Sequence, residues 1–139
     1  MKKAHPNEEL HEALVAEARA KAEAENADAD AKEALRRTKH AREQADSAER
    51  AFVQSCVIYE QTCREDHLAL KARPFDDYAR DMTYSAMRKA DEARSAANIK
   101  SGRLKDEAQR TEEEALAAVD EQRKCRRRAR ERTAVRVAI

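Results

Sequence analysis

Counting from Leu10, small or apolar side chains recur, with Glu17 the one charged exception, at alternating steps of three and four residues: Leu10, Ala13, Glu17, Ala20, Ala24, Ala27, Ala31, Ala34, Thr38, Ala41, Ala45, Ala48, Phe52, Ser55, Tyr59 and Thr62. That period is the seam of a helix packed lengthwise on another helix, and a seam made of alanine lets two backbones approach closely. The pattern predicts a first helix over residues 7–71, with Asn7 as its N-cap and Glu8 and Glu9 opposing the positive helix end. At 1.5 Å per residue such a helix is on the order of 95 Å long.

Residues 72–77 hold the strong interruption. Pro74 disfavours a helical Arg73, suits the first turn of a new helix, and precedes the acids Asp76 and Asp77. A second helix is predicted over 78–133, between a flexible start at 1–6 and a tail at 134–139. Its seam reads Thr83, Ala86 or Met87, Ala90, Ala93, Ala97, Ser101, Leu104, Ala108, Thr111, Ala115, Ala118, Gln122, Cys125 and Ala129. Gly102, the chain's single glycine, is the place for a kink or second break, because glycine in a helix costs about 1 kcal/mol relative to alanine.

Two helices of similar length joined at one break predict an all-α fold, a long antiparallel two-helix hairpin with an alanine-rich coiled-coil seam. Charge supports the antiparallel choice. From Gln122 onward there are eight basic residues and one acid, Glu131, which leaves 21 basic and 27 acidic residues in the rest. Folding back at Pro74 sets that basic end beside Glu17, Glu23, Glu25, Asp28 and Asp30. A kinked helix in a parallel dimer, the competing arrangement, would stack arginine on arginine.

Composition agrees with long helices: 41% of residues are charged, 4% are aromatic and the mean hydropathy is −1.01. So little apolar material leaves disorder as the rival, but disordered chains tend to carry proline, glycine and net charge, and here there are two prolines, one glycine and a net charge of +1. No run approaches the roughly 18 apolar residues of a membrane span, and the first residues lead into acids instead of a signal core. The expectation is a cytoplasmic protein with no membrane partner, in a setting that includes the cytoskeleton or a cilium or flagellum.

Large side chains are concentrated. All five aromatics lie between Phe52 and Tyr84, and in a hairpin they gather where the helices are joined. With Phe52 on the seam, Val53 and Val57 face away from the second helix and Ile58 flanks the seam. Val53, Val57, Ile58, Tyr78, Met82 and Tyr84 are therefore the candidate apolar docking residues, against the ordinary alternative of a wide apolar stripe. Arg126, Arg127, Arg128, Arg130 and Arg132 are the candidate basic contacts, suited to phosphates or to a carboxylate-rich protein surface, against the plainer alternative that they mainly complement the acidic first helix. No aromatic residue interleaves with them for base stacking.

Catalysis finds no motif. One glycine excludes glycine-rich phosphate loops, and two thin helices imply no pocket that orients a nucleophile. Cys56, Cys63 and His67 share a helix face, yet a structural zinc site wants four ligands, so reduced structural thiols are the plainer reading and no cofactor is expected. His5, His11 and His40 read as solvated. In composition the chain resembles coiled-coil accessory proteins of cytoskeletal and ciliary assemblies, a likeness of class with no diagnostic residues. It implies a non-enzymatic structural or scaffold protein that packs on or bridges a larger assembly, microtubule- or axoneme-associated in the leading form. Its partners would be other proteins with an acidic surface, with a homodimer allowed. The alternative is an RNA- or ribosome-associated factor that holds phosphates through the arginine-rich segment.

Overall fold

A computed structural model describes residues 5–139 as two α-helices, α1 (Pro6–Lys71, 66 residues) and α2 (Asp77–Ala138, 62 residues), packed on each other as a helical hairpin. Among the described residues there is no strand, and no helix is long and apolar enough to cross a membrane. Most of the expected flexible start lies outside the described residues.

Helix ends depart from the sequence expectation in ways that follow from capping chemistry. α1 is capped by His5, not Asn7: the His5 carbonyl accepts from Glu8 N (2.9 Å) and Glu9 N (3.1 Å), and its Nδ1 accepts from Asn7 N (3.3 Å). Pro6 then occupies the first helical position, where its missing N–H and fixed φ cost nothing. At the joint, Pro74 stays in the connection, and its peptide bond with Arg73 is cis. Asp76 starts α2 instead, its Oδ1 accepting from Tyr78 N (3.0 Å) and Ala79 N (3.2 Å). The predicted tail 134–139 is helical as far as Ala138, because Thr133 and Arg136 both bond to Glu17 of α1. Nor does Gly102 break α2, which is continuous through it.

The packing forms two units. One joins the described residues through Lys39 to Arg110–Ile139; the other comprises His40–Gln109. In the first, Glu17 opposes Thr133, Asp28 opposes Gln122 and Thr38 opposes Thr111. Its core is a cluster of Ala24, Ala27 and Cys125, with Ala129 packed against it. Within the second, Ala41, Ala45 and Ala108 cluster with Leu104, Glu49 opposes Ser101 and Asp66 opposes Thr83. Steps of about eleven residues separate successive polar pairs in the first unit, three helical turns, so one register holds along its seam.

The seam of α1 is the one the sequence spells, with every predicted position from Ala13 to Thr62 buried or half-buried. Leu10 is the exception and is exposed. On α2, Met87 and not Ala86 takes the seam, and Ala93 is exposed while Arg94 is half-buried. Arg94 displaces the alanine because its guanidinium lies over the Tyr59 ring, 4.0 Å from the centroid, an attraction alanine lacks.

Among the described residues the buried apolar positions are thus alanine and one cysteine, and no large side chain is fully buried. Each buried methyl contributes about 0.8 kcal/mol, against about 1.5–3 kcal/mol for a large aliphatic or aromatic side chain. The hairpin is held by many small contacts.

Candidate interaction surfaces

Polar seam pairs fix the register. Ser101, 2% exposed, donates to Glu49 Oε2 (2.9 Å), which also meets Lys105 Nζ (2.6 Å). Lys105 foremost, then Ser101, holds the Glu49 carboxyl below its ordinary pKa. Thr38 Oγ1 donates to the carbonyls of Ala34 (3.0 Å) and Thr111 (3.1 Å), the second across the seam. Buried Glu17 gathers Lys21 Nζ (2.8 Å), Thr133 Oγ1 (3.1 Å) and the Arg136 guanidinium. Lys21 first, then Arg136, lowers its pKa to about 2. These groups are matched to each other, and their role is to align the helices.

At the joined end, Asp66 is buried and accepts from Thr83 Oγ1 (2.9 Å) and Arg80 Nη1 (3.0 Å). Arg80 lies over the Tyr84 ring at 5.0 Å. Around this polar clasp the large apolar side chains stand outside. All six predicted docking residues, Val53, Val57, Ile58, Tyr78, Met82 and Tyr84, are exposed, Tyr78 most of all at 73%. Leu68, Leu70 and Phe75 are exposed as well. Leu68, which the sequence groups with the bulky side chains of this end but not with the six docking residues, is 68% exposed.

The basic segment divides in two. Arg126 and Arg136 reach across to α1: Arg126 Nε donates to Asp28 Oδ1 (2.9 Å), beside Gln122 Nε2 on the same oxygen (2.9 Å), and Arg136 holds Glu17. Gln122 first and Arg126 next depress the Asp28 pKa. Arg126, offered by the sequence as a partner contact, is thereby engaged within the hairpin, because Asp28 stands directly opposite. Arg127 and Arg128 keep only long pairs within α2, to Glu131 and Glu121, each at 3.9 Å. Arg130 and Arg132 are exposed and, among the described residues, have no ion pair; Arg123, absent from the predicted set, is in the same position. Arg123, Arg127 and Arg130 line one surface depression on α2 together with Lys124 and its ion-pair partner Asp120 (3.3 Å).

The cysteines do not converge. Cys56 and Cys63 are half-buried and free, Cys125 is buried, and His67 is exposed. The described residues hold no group of three or more His, Cys, Asp or Glu placed to bind a metal ion. Cys63 foremost, with Asp91, raises the Tyr59 pKa, while burial first and Glu121 next push up the Cys125 thiol.

Compared with protein-family models, with curated proteins and with solved structures, the chain matches none.

Proposed function

We propose that the protein is a non-enzymatic structural component that packs on or bridges a larger cytoplasmic assembly, with a cytoskeletal lattice of microtubule or axonemal type as the leading case. One observation carries this reading. The core is alanine, whereas large apolar side chains are left exposed along the hairpin, all six predicted docking residues at the joined end among them, so the fold leaves some of its strongest potential contacts for something outside itself. Val53, Val57, Ile58, Tyr78, Met82 and Tyr84 form that contact. Arg127, Arg128, Arg130 and Arg132 form a second one to a carboxylate-rich protein surface, where planar guanidinium groups match carboxylates.

Co-sedimentation of the full chain with polymerised tubulin across a salt series tests it. Binding is expected at low salt, reduced at least about tenfold when Arg127, Arg128, Arg130 and Arg132 become Gln, a difference of about 1.4 kcal/mol. Absence of the protein from the pellet at low ionic strength, together with a steep log-linear salt dependence on single-stranded RNA, overturns the lattice reading in favour of phosphate binding.

A further inference from the structure

The arginines of α2 are not equivalent, and the helix sorts them by side. Arg126 is held by Asp28, and Arg128 lines a groove whose other charged members, Glu23, Asp30 and Glu121, outnumber it. Arg132 lies one turn beyond Arg128 on that same side. Arg123, Arg127 and Arg130 stand elsewhere, at spacings of four and three that put them on one face, rising along it by about 6 and 4.5 Å. They and Lys124 line one depression, and all four are exposed.

Two carboxylates temper that charge. Asp120, also in the lining, pairs with Lys124 at 3.3 Å, and Glu131 approaches Arg127 at 3.9 Å. Four cations against two anions leave a surplus of two positive charges, and Arg123 and Arg130 are the members without an ion pair among the described residues. Every lining side chain is charged, so the depression offers nothing to an apolar group and no aromatic face on which a base could stack. What fits is a compact anion of about two charges with several acceptor oxygens. A phosphomonoester carries a charge of about −1.5 to −2 at pH 7 on three such oxygens, and guanidinium groups bind it through paired N–H donors. A carboxylate brings half the charge and one oxygen fewer.

We propose that the depression lined by Arg123, Lys124, Arg127 and Arg130 is a binding site for a phosphorylated side chain of a partner protein. This rests on reading the arginine segment as a contact to an acidic protein surface; it names the group recognised there and centres the contact on Arg123, Arg127 and Arg130. The contact is then conditional, made when the partner is phosphorylated and released when the phosphate is removed.

Fluorescence anisotropy of labelled peptides, identical except for phosphoserine, glutamate or serine at one position, tests the proposal with the full chain at low salt. The phosphoserine peptide is expected to bind at least about tenfold more tightly than the glutamate peptide. Its affinity should fall between about pH 7.5 and 5.5, as the ester takes up its second proton, while that of the glutamate peptide changes little. Arg123→Gln combined with Arg130→Gln should weaken phosphoserine binding at least about tenfold with helical circular dichroism unchanged, since both sites are exposed. Arg128→Gln combined with Arg132→Gln should alter it by less than about twofold. Failure to bind the phosphoserine peptide, equal binding of phosphoserine and glutamate, or equal losses in the two double variants overturns the proposal. Tighter binding of single-stranded RNA than of the phosphoserine peptide, with a steep log-linear salt dependence, overturns it in favour of a nucleic-acid contact. If phosphoserine and glutamate bind alike and the chain still pellets with polymerised tubulin, the function proposed above survives and only the phosphate site is lost.

Discussion

Glu17 shows how one side chain can decide the fate of a thin seam. It is buried, and Lys21, Arg136 and Thr133 keep it ionised down to about pH 2, whereas the same carboxyl in an unfolded chain protonates near 4.5. Between those values the unfolded state binds the extra proton, so stability rises with pH through that window and is lost as the solution is acidified. Asp28 and Glu49, lowered by Gln122 with Arg126 and by Lys105 with Ser101, add to the slope in the same direction. Acid titration followed by circular dichroism should therefore show helix loss below about pH 4.5, and Glu17→Gln should be less stable at pH 7 with a shallower slope across that range. Asp66 acts differently, as the acceptor that joins Thr83 and Arg80 across the first turns beyond the joint. Asp66→Ala strands a partly buried guanidinium whose Nε already lacks a hydrogen bond, and should cost about 1–3 kcal/mol in chemical denaturation.

Within the helices, the limiting quantity is the distance between backbones. Ala31 is 1% exposed, so Ala31→Leu forces three extra carbons into a closed seam and should destabilise the hairpin by about 1–3 kcal/mol. Gly102 is the opposite case. A Cβ built there meets nothing within 4 Å, and the helix is unbroken, so Gly102→Ala should stabilise by about 0.5–1 kcal/mol through reduced freedom of the unfolded chain. Urea midpoints of the two variants should move in opposite directions. The seam was legible because alanine at heptad spacing admits few other readings, and the face assignment of Val53, Val57 and Ile58 followed from that register. What escaped is set by pairs of residues on different helices. Arg94 replaces Ala93 only because Tyr59 is its neighbour, and α2 continues past Thr133 only because Glu17 waits opposite. Leu68 and Arg123 were legible as members of the bulky end and of the basic segment but not as contacts, since their exposure depends on what the other helix leaves uncovered.

For the molecule as a whole, the distribution of thiols has a practical outcome. Cys125 is shut inside the alanine cluster of one unit, and burial raises its pKa so that less of it is thiolate, while Cys56 and Cys63 sit half-buried in the unit around the joint. An alkylating reagent should modify Cys56 and Cys63 readily and reach Cys125 only when the ends of the hairpin part. Mass-resolved labelling kinetics at the three sites should show Cys125 slowest, with a rate that rises in Glu17→Gln and is unchanged in Asp66→Ala. The unaltered polypeptide thus carries a built-in stopwatch for fraying, readable in a crude extract without introducing any dye.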